Sequence, residues 1–136
     1  MNSVQNLDQI RAANALNYRD TTFTGVDGGG IVKKIPTMIR DNGFLGALAF
    51  ALERDKNNDK KNPGHYQVFE CILEHLKTLN RVPPDCKTPD DLMEFLIKSD
   101  SAKLRDVTAE SLLYMNYLRR FVRPKQKGEL SQEEDA

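Results

Sequence analysis

Residues 102–122, AKLRDVTAESLLYMNYLRRFV, decide the fold. Leu104, Val107, Ser111, Met115, Leu118 and Val122 recur at spacings of three, four, four, three and four. That interval stacks side chains on one face of an α-helix. At about 1.5 Å per residue the stretch predicts a helix roughly 30 Å long, the full height of a small bundle. A seam of that length needs other helices to cover it, and the chain on its N-terminal side supplies them.

Immediately upstream, Thr88-Pro89-Asp90-Asp91 has the chemistry of a helix start: a Thr cap, Pro in the first turn and an acid three residues after the cap. The helix it opens runs through Leu92, Phe95, Leu96 and Ile97 and ends near Ser99-Asp100. VPPDCK (82–87) separates it from a helix predicted over His65–Arg81, with Tyr66, Phe69, Leu73, Leu76 and Leu79 or Asn80 on one stripe. RDKNNDKKNPG (54–64) is charged, amide-rich and closed by Pro-Gly, which reads as a solvated loop. FLGALAFALE (44–53) is apolar nearly all round and predicts a short, deeply buried helix in which Gly46, Ala47, Ala49 and Ala51 permit close packing. Asn42-Gly43 ahead of it is a helix stop, ending a helix that carries Ile31, Ile35, Met38 and Ile39. Pro36 lies early enough in that helix to be tolerated. A weaker stripe of Leu7, Ile10, Ala13, Asn14 and Asn17 predicts a first helix from Val4 to about Arg19. The expected fold is therefore all-α: a single helical bundle of five or six helices over residues 1–123, with 124–136 a disordered acidic tail.

Composition agrees with one domain. The chain has 136 residues, with 20 Lys plus Arg against 20 Asp plus Glu. Glu129, Glu133, Glu134 and Asp135 stand together after Gly128, which leaves the remainder with 20 bases against 16 acids. A moderately basic body is compatible with a nucleic-acid partner. Two cysteines do not make a disulfide framework, and neither a signal-peptide pattern nor an apolar run of membrane-spanning length is present. A soluble cytoplasmic protein is expected.

Gly25 and Gly30 have the spacing of a nucleotide-cradling loop. The following Lys and hydroxyl of that motif are Ile31 and Val32, and no buried strand precedes it, so an NTPase site is not expected. Glycines before a helix start can still expose N–H groups to a phosphate, with Lys33 and Lys34 in the first turn. The alternative is a plain joint bearing two solvated lysines, and the residues favour it. Asp55, Asn57 and Asp59 begin like a calcium loop, but Lys60 and Tyr66 stand where the turn Gly and bidentate acid belong. Cys71 and His75 have ligand spacing without the second pair a structural zinc site needs. No cofactor, metal site or convergent catalytic set is expected, and so no enzyme.

Basic residues remain. Lys33, Lys34 and Arg40 form one group, and Arg119, Arg120 and Arg123 a second at the end of the last helix, where cations also offset its dipole. Tyr114, Tyr117 and Phe121 interleave with these arginines, as in single-strand binders, although an aromatic stripe at this spacing is expected to be core.

IVKKIPTMIRDNGFLGALAFALE (31–53) and YMNYLRRFV (114–122), in this order and at this separation, resemble the small helical subunit of type III-B CRISPR effector complexes, the RAMP-module (Cmr) assembly. The match rests on Lys34-Ile35-Pro36, Asn42-Gly43, Leu48-Ala49-Phe50 and Asn116-Tyr117-Leu118-Arg119-Arg120-Phe121, with Asp100-Ser101-Ala102 and Ala109-Glu110 in keeping. It runs from about Leu7 to Arg123, and Tyr117 stands where the family often has Trp. The resemblance implies a non-catalytic subunit. Copies of it would stack against the other RAMP-module subunits that hold the guide RNA, and would help form the channel for the guide RNA–target RNA duplex. Sequence specificity would then lie in base pairing, and Lys33, Lys34, Arg40, Arg119, Arg120 and Arg123 would meet RNA backbone or a neighbouring subunit. The competing readings are a purely structural adaptor and a free-standing nucleic-acid binder.

Overall fold

The computed structural model describes residues 5–25 and 27–123. Five helices follow in order: α1 (Leu7–Leu16), α2 (Ile31–Leu52), α3 (Pro63–Thr78), α4 (Pro89–Lys98) and α5 (Ser101–Phe121). Extended pairing among the described residues is confined to isolated bridge positions, such as the antiparallel bridge between Arg54 and Lys60. The all-α bundle is as expected; the tail over 124–136 lies outside the described residues.

α5 is the pillar. Val107, Ser111, Met115, Leu118 and Val122 are buried along the anticipated seam, and Tyr114 is fully buried beside them. Asp100 caps its start, its carboxylate accepting from the Lys103 backbone N–H at 2.8 Å. α4 opens with the reciprocal bonds expected of Thr88 and Asp91. It buries Leu92 and Leu96, but Ile97 is 65% exposed rather than part of the core.

α2 bends where Asn42-Gly43 forecasts a stop. Gly43 has φ +79° and ψ 162°, a conformation that side chains avoid, and helical geometry resumes after it. The second half of α2 corrects the expectation of a fully buried segment. Phe44, Ala47, Leu48 and Ala51 are buried, whereas Gly46, Ala49 and Phe50 face outward. Only one side of this segment is covered, within a helix that packs as a whole against α3, α5 and α4.

α3 ends in a Schellman turn. Asn80 takes φ +57°, the Arg81 N–H reaches the Leu76 carbonyl and the Asn80 N–H reaches that of Lys77. α1 is shorter than expected, and its inward face is not the apolar stripe of the sequence. Arg11 and Ala15 are its buried residues, while Leu7, Ala13 and Asn17 are exposed.

Candidate nucleic-acid interface

The glycine-rich joint brings the two basic groups together. Gly29 lies under the end of α5: a Cβ there would collide with the Arg123 backbone carbonyl and the Val122 side chain. That close approach sets the first turn of α2 beside the last turn of α5. Lys33, Arg119, Arg120 and Arg123, with Val122 as an apolar floor, line one open cleft of about 410 Å³. Among the described residues none of these four cations takes part in an ion pair. Arg120 is steadied by donating from Nε to the Asn116 carbonyl at 3.1 Å. Four cations around one depression favour a polyanion.

Lys34 and Arg40 do not join them. One residue along a helix turns the side chain by about 100°, and Lys34 donates instead to Asp27 at 2.7 Å. Arg40 is exposed two turns further along α2, on the Lys33 face but outside the cleft. The glycine segment forms no phosphate cradle. The N–H groups of Gly28, Gly30, Ile31, Val32 and Lys33 are spent on the carbonyls of Gly25, Asp27, Gly28, Gly29 and Gly30. It is a joint, and its chemistry is steric.

Tyr114 is core, as its spacing indicated; Tyr117 and Phe121 are half-buried against that core. The calcium-like loop is closed on itself, with Asp55 Oδ1 accepting from the backbone N–H groups of Asn57 and Asp59. Cys71 and His75 do not form a ligand pair. Burial pushes the Cys71 thiol up to about 12, and both ring nitrogens of His75 are engaged by Asn14 and Glu110. Among the described residues no cluster of three or more His, Cys, Asp or Glu side chains is placed to hold a metal ion. No helix among them is long and apolar enough to cross a membrane.

Sequence reading missed one site altogether. Glu110, 3% exposed, accepts from Arg11 through both oxygens and from His75 Nε2, while His75 stacks on Tyr114 with ring centroids 4.2 Å apart. A Glu on the buried side of the α5 seam, one residue before Ser111, is the only signal the sequence offered.

The model of the CRISPR-associated protein (Cas_Cmr5) family matches residues 27–124. The chain belongs to this family. The match covers α2 to α5, both residue blocks that carried the resemblance, and all four cations of the cleft. α1 lies outside it. Membership places the Cas_Cmr5 chain among the subunits of CRISPR effector complexes. Comparison with curated proteins and with solved structures gives no match.

Proposed function

We propose that this protein is a non-catalytic small subunit of a type III-B CRISPR effector that targets RNA under the direction of a guide RNA. It stacks with copies of itself along the RAMP-module subunits that hold the guide, in the cytoplasm. It lends the channel for the guide RNA–target RNA duplex a set of backbone-binding cations. The observation that carries this reading is the convergence of Lys33, Arg119, Arg120 and Arg123 on one cleft free of carboxylate partners among the described residues. Guanidinium groups suit phosphate oxygens in their geometry, and contacts of this kind position an assembly without reading bases.

Affinity purification of the chain from its native host, with identification of bound proteins and sequencing of bound RNA, tests the proposal. RAMP-module subunits together with RNAs sharing a repeat-derived end are expected, and Arg119→Glu/Arg120→Glu/Arg123→Glu is expected to keep the proteins while losing target RNA. If that variant loses its protein partners and leaves RNA retention by the remaining complex intact, the cleft binds subunit carboxylates. The adaptor reading, to which exposed Phe50, Ile97 and Leu113 also lend support, then replaces the present one.

A further inference from the structure

The face that α1 turns to the bundle is polar. Ala15 is its one fully buried apolar side chain, whereas Leu7 and Leu16 are 40% and 43% exposed, so the hydrophobic contribution to its docking is small. Hydrogen bonds hold it instead. Arg11 donates from Nε and Nη2 to Glu110 at 2.7 and 2.8 Å, and from Nη1 to Asp8 at 2.9 Å. The Asn14 amide nitrogen reaches His75 Nδ1 at 2.9 Å and Thr78 Oγ1 at 2.8 Å.

These contacts define the protonation state. An amide nitrogen has hydrogens to give and no lone pair to offer, so His75 Nδ1 accepts and is bare. The ring proton sits on Nε2 and is donated to Glu110 Oε2 at 2.9 Å. Thr78 Oγ1 takes the second Asn14 hydrogen and gives its own to the His75 carbonyl at 2.8 Å. Each donor is used, and the ring is neutral.

A second proton can enter only at Nδ1, where it meets the Asn14 N–H groups. Turning the Asn14 amide over would offer an oxygen. It would still leave two buried cations, Arg11 and His75, sharing the single carboxylate of Glu110. The other groups facing the ring do not repair this: Tyr114 and Cys71 are neutral, Arg81 adds positive charge, and Asp8 is occupied with Arg11 at the rim. Burial, the largest influence, holds the imidazole below its ordinary 6.5; Glu110 opposes this and Arg11 and Arg81 reinforce it.

We propose that α1 is a proton-sensitive latch: a proton taken up at His75 Nδ1 expels Asn14 and releases α1 from the groove between α3 and α5, while α2 to α5 stay folded. The sign follows from linkage. Burial and Arg11 hold the docked imidazole below its ordinary 6.5, and release removes both, so the undocked ring takes up its proton at a higher pH than the docked one. Docking is therefore at full strength where the ring is neutral in both states, and weakens by up to about tenfold per pH unit as pH falls through the range in which only the undocked ring is protonated. Release uncovers Glu110 and His75, which are 3% and 1% exposed when α1 is in place.

Amide hydrogen exchange of the full chain between pH 7.5 and 5, corrected for intrinsic rates, reads this directly. Protection of residues 7–16 is expected to fall by about tenfold per pH unit, in step with the His75 ring resonances, while amides of α3 and α5 keep theirs. Asn14→Asp is expected to reverse the effect, since a carboxylate beside Nδ1 accepts the new proton and supplies the missing charge. Protection of α1 that is constant with pH overturns the latch, as does a loss shared equally by all five helices. Acid sensitivity in Asn14→Asp equal to that of the parent overturns it as well.

Discussion

Arg11 and Glu110, 99 positions apart, form a two-pronged ion pair with N–O distances of 2.7 and 2.8 Å inside the bundle. This pair fastens α1 to the pillar helix and fills both oxygens of a carboxylate that has almost no access to water. Such pairs are costly to break from one side, because the remaining charge is stranded. Arg11→Met is expected to lower the free energy of unfolding by about 3–5 kcal/mol in urea titrations. The double variant Arg11→Met/Glu110→Gln is expected to recover a large part of that loss. Equal losses in the single and double variants would contradict this account.

Overall stability is expected to decline with acid in two windows. Burial, the leading influence on both, holds His75 and His65 below 6.5. The unfolded chain therefore takes up protons first, and stability present above about pH 6.5 is lost as pH falls towards the folded-state values. Glu110 adds a lower window. Burial by itself pushes its carboxyl up, but the hydrogen bonds from Arg11 and His75 prevail and hold it below 4.5. Its contribution is present above 4.5 and lost as pH falls through its folded-state value. Urea midpoints that are level from pH 8 to 7 and fall from 6.5 to 4 would agree; a level profile down to pH 5 would not.

Replacing Lys33, Arg119, Arg120 and Arg123 singly by Ala is expected to weaken binding to RNA of any sequence. The slope of log affinity against log salt should become shallower by roughly 0.7 for each single-strand phosphate that is no longer neutralised. Arg40→Ala and Lys34→Ala, whose side chains lie away from the cleft, should leave that slope unchanged. Fluorescence anisotropy across 50–300 mM salt separates the two sets, and a slope unaffected by the cleft variants would remove the cleft from the RNA surface.

Two glycines should fail for different reasons. Gly29→Ala drives a methyl group into the Arg123 carbonyl, and overpacking of this kind costs about 1–3 kcal/mol. It should also displace the arginines from Lys33 and so weaken RNA binding. Gly43→Ala meets no atom within 4 Å. Its expected cost, about 1–3 kcal/mol, is backbone strain at φ +79°, and RNA binding by the folded fraction should be unchanged. Thermal melts paired with binding assays distinguish these outcomes.

Local patterns in the chain were sufficient for most of the architecture. The α5 seam, the Thr88–Asp91 cap and the Asn42-Gly43 stop each act within a few residues, so their meaning survives without the rest of the molecule. Where a helix has one covered side, the same patterns overreach. Ala49, Phe50 and Ile97 are apolar and yet exposed, because hydropathy records what a side chain tolerates and not which neighbour arrives. α1 misleads in the opposite way. Its anchor is Arg11, a residue that an apolar stripe cannot reveal.

By itself the sequence determined the helices, their order, the basic excess of the body ahead of the acidic residues after Gly128, and both basic groups. Only the tertiary structure decided that Lys33 belongs with Arg119, Arg120 and Arg123, that Lys34 is held by Asp27, and that Glu110 is satisfied by Arg11 and His75. The reason is physical. Helical periodicity is a property of neighbours along the chain, whereas a cleft or a buried ion pair depends on where distant backbones cross. Here that crossing is set by a contact as small as the missing side chain of Gly29 against Arg123.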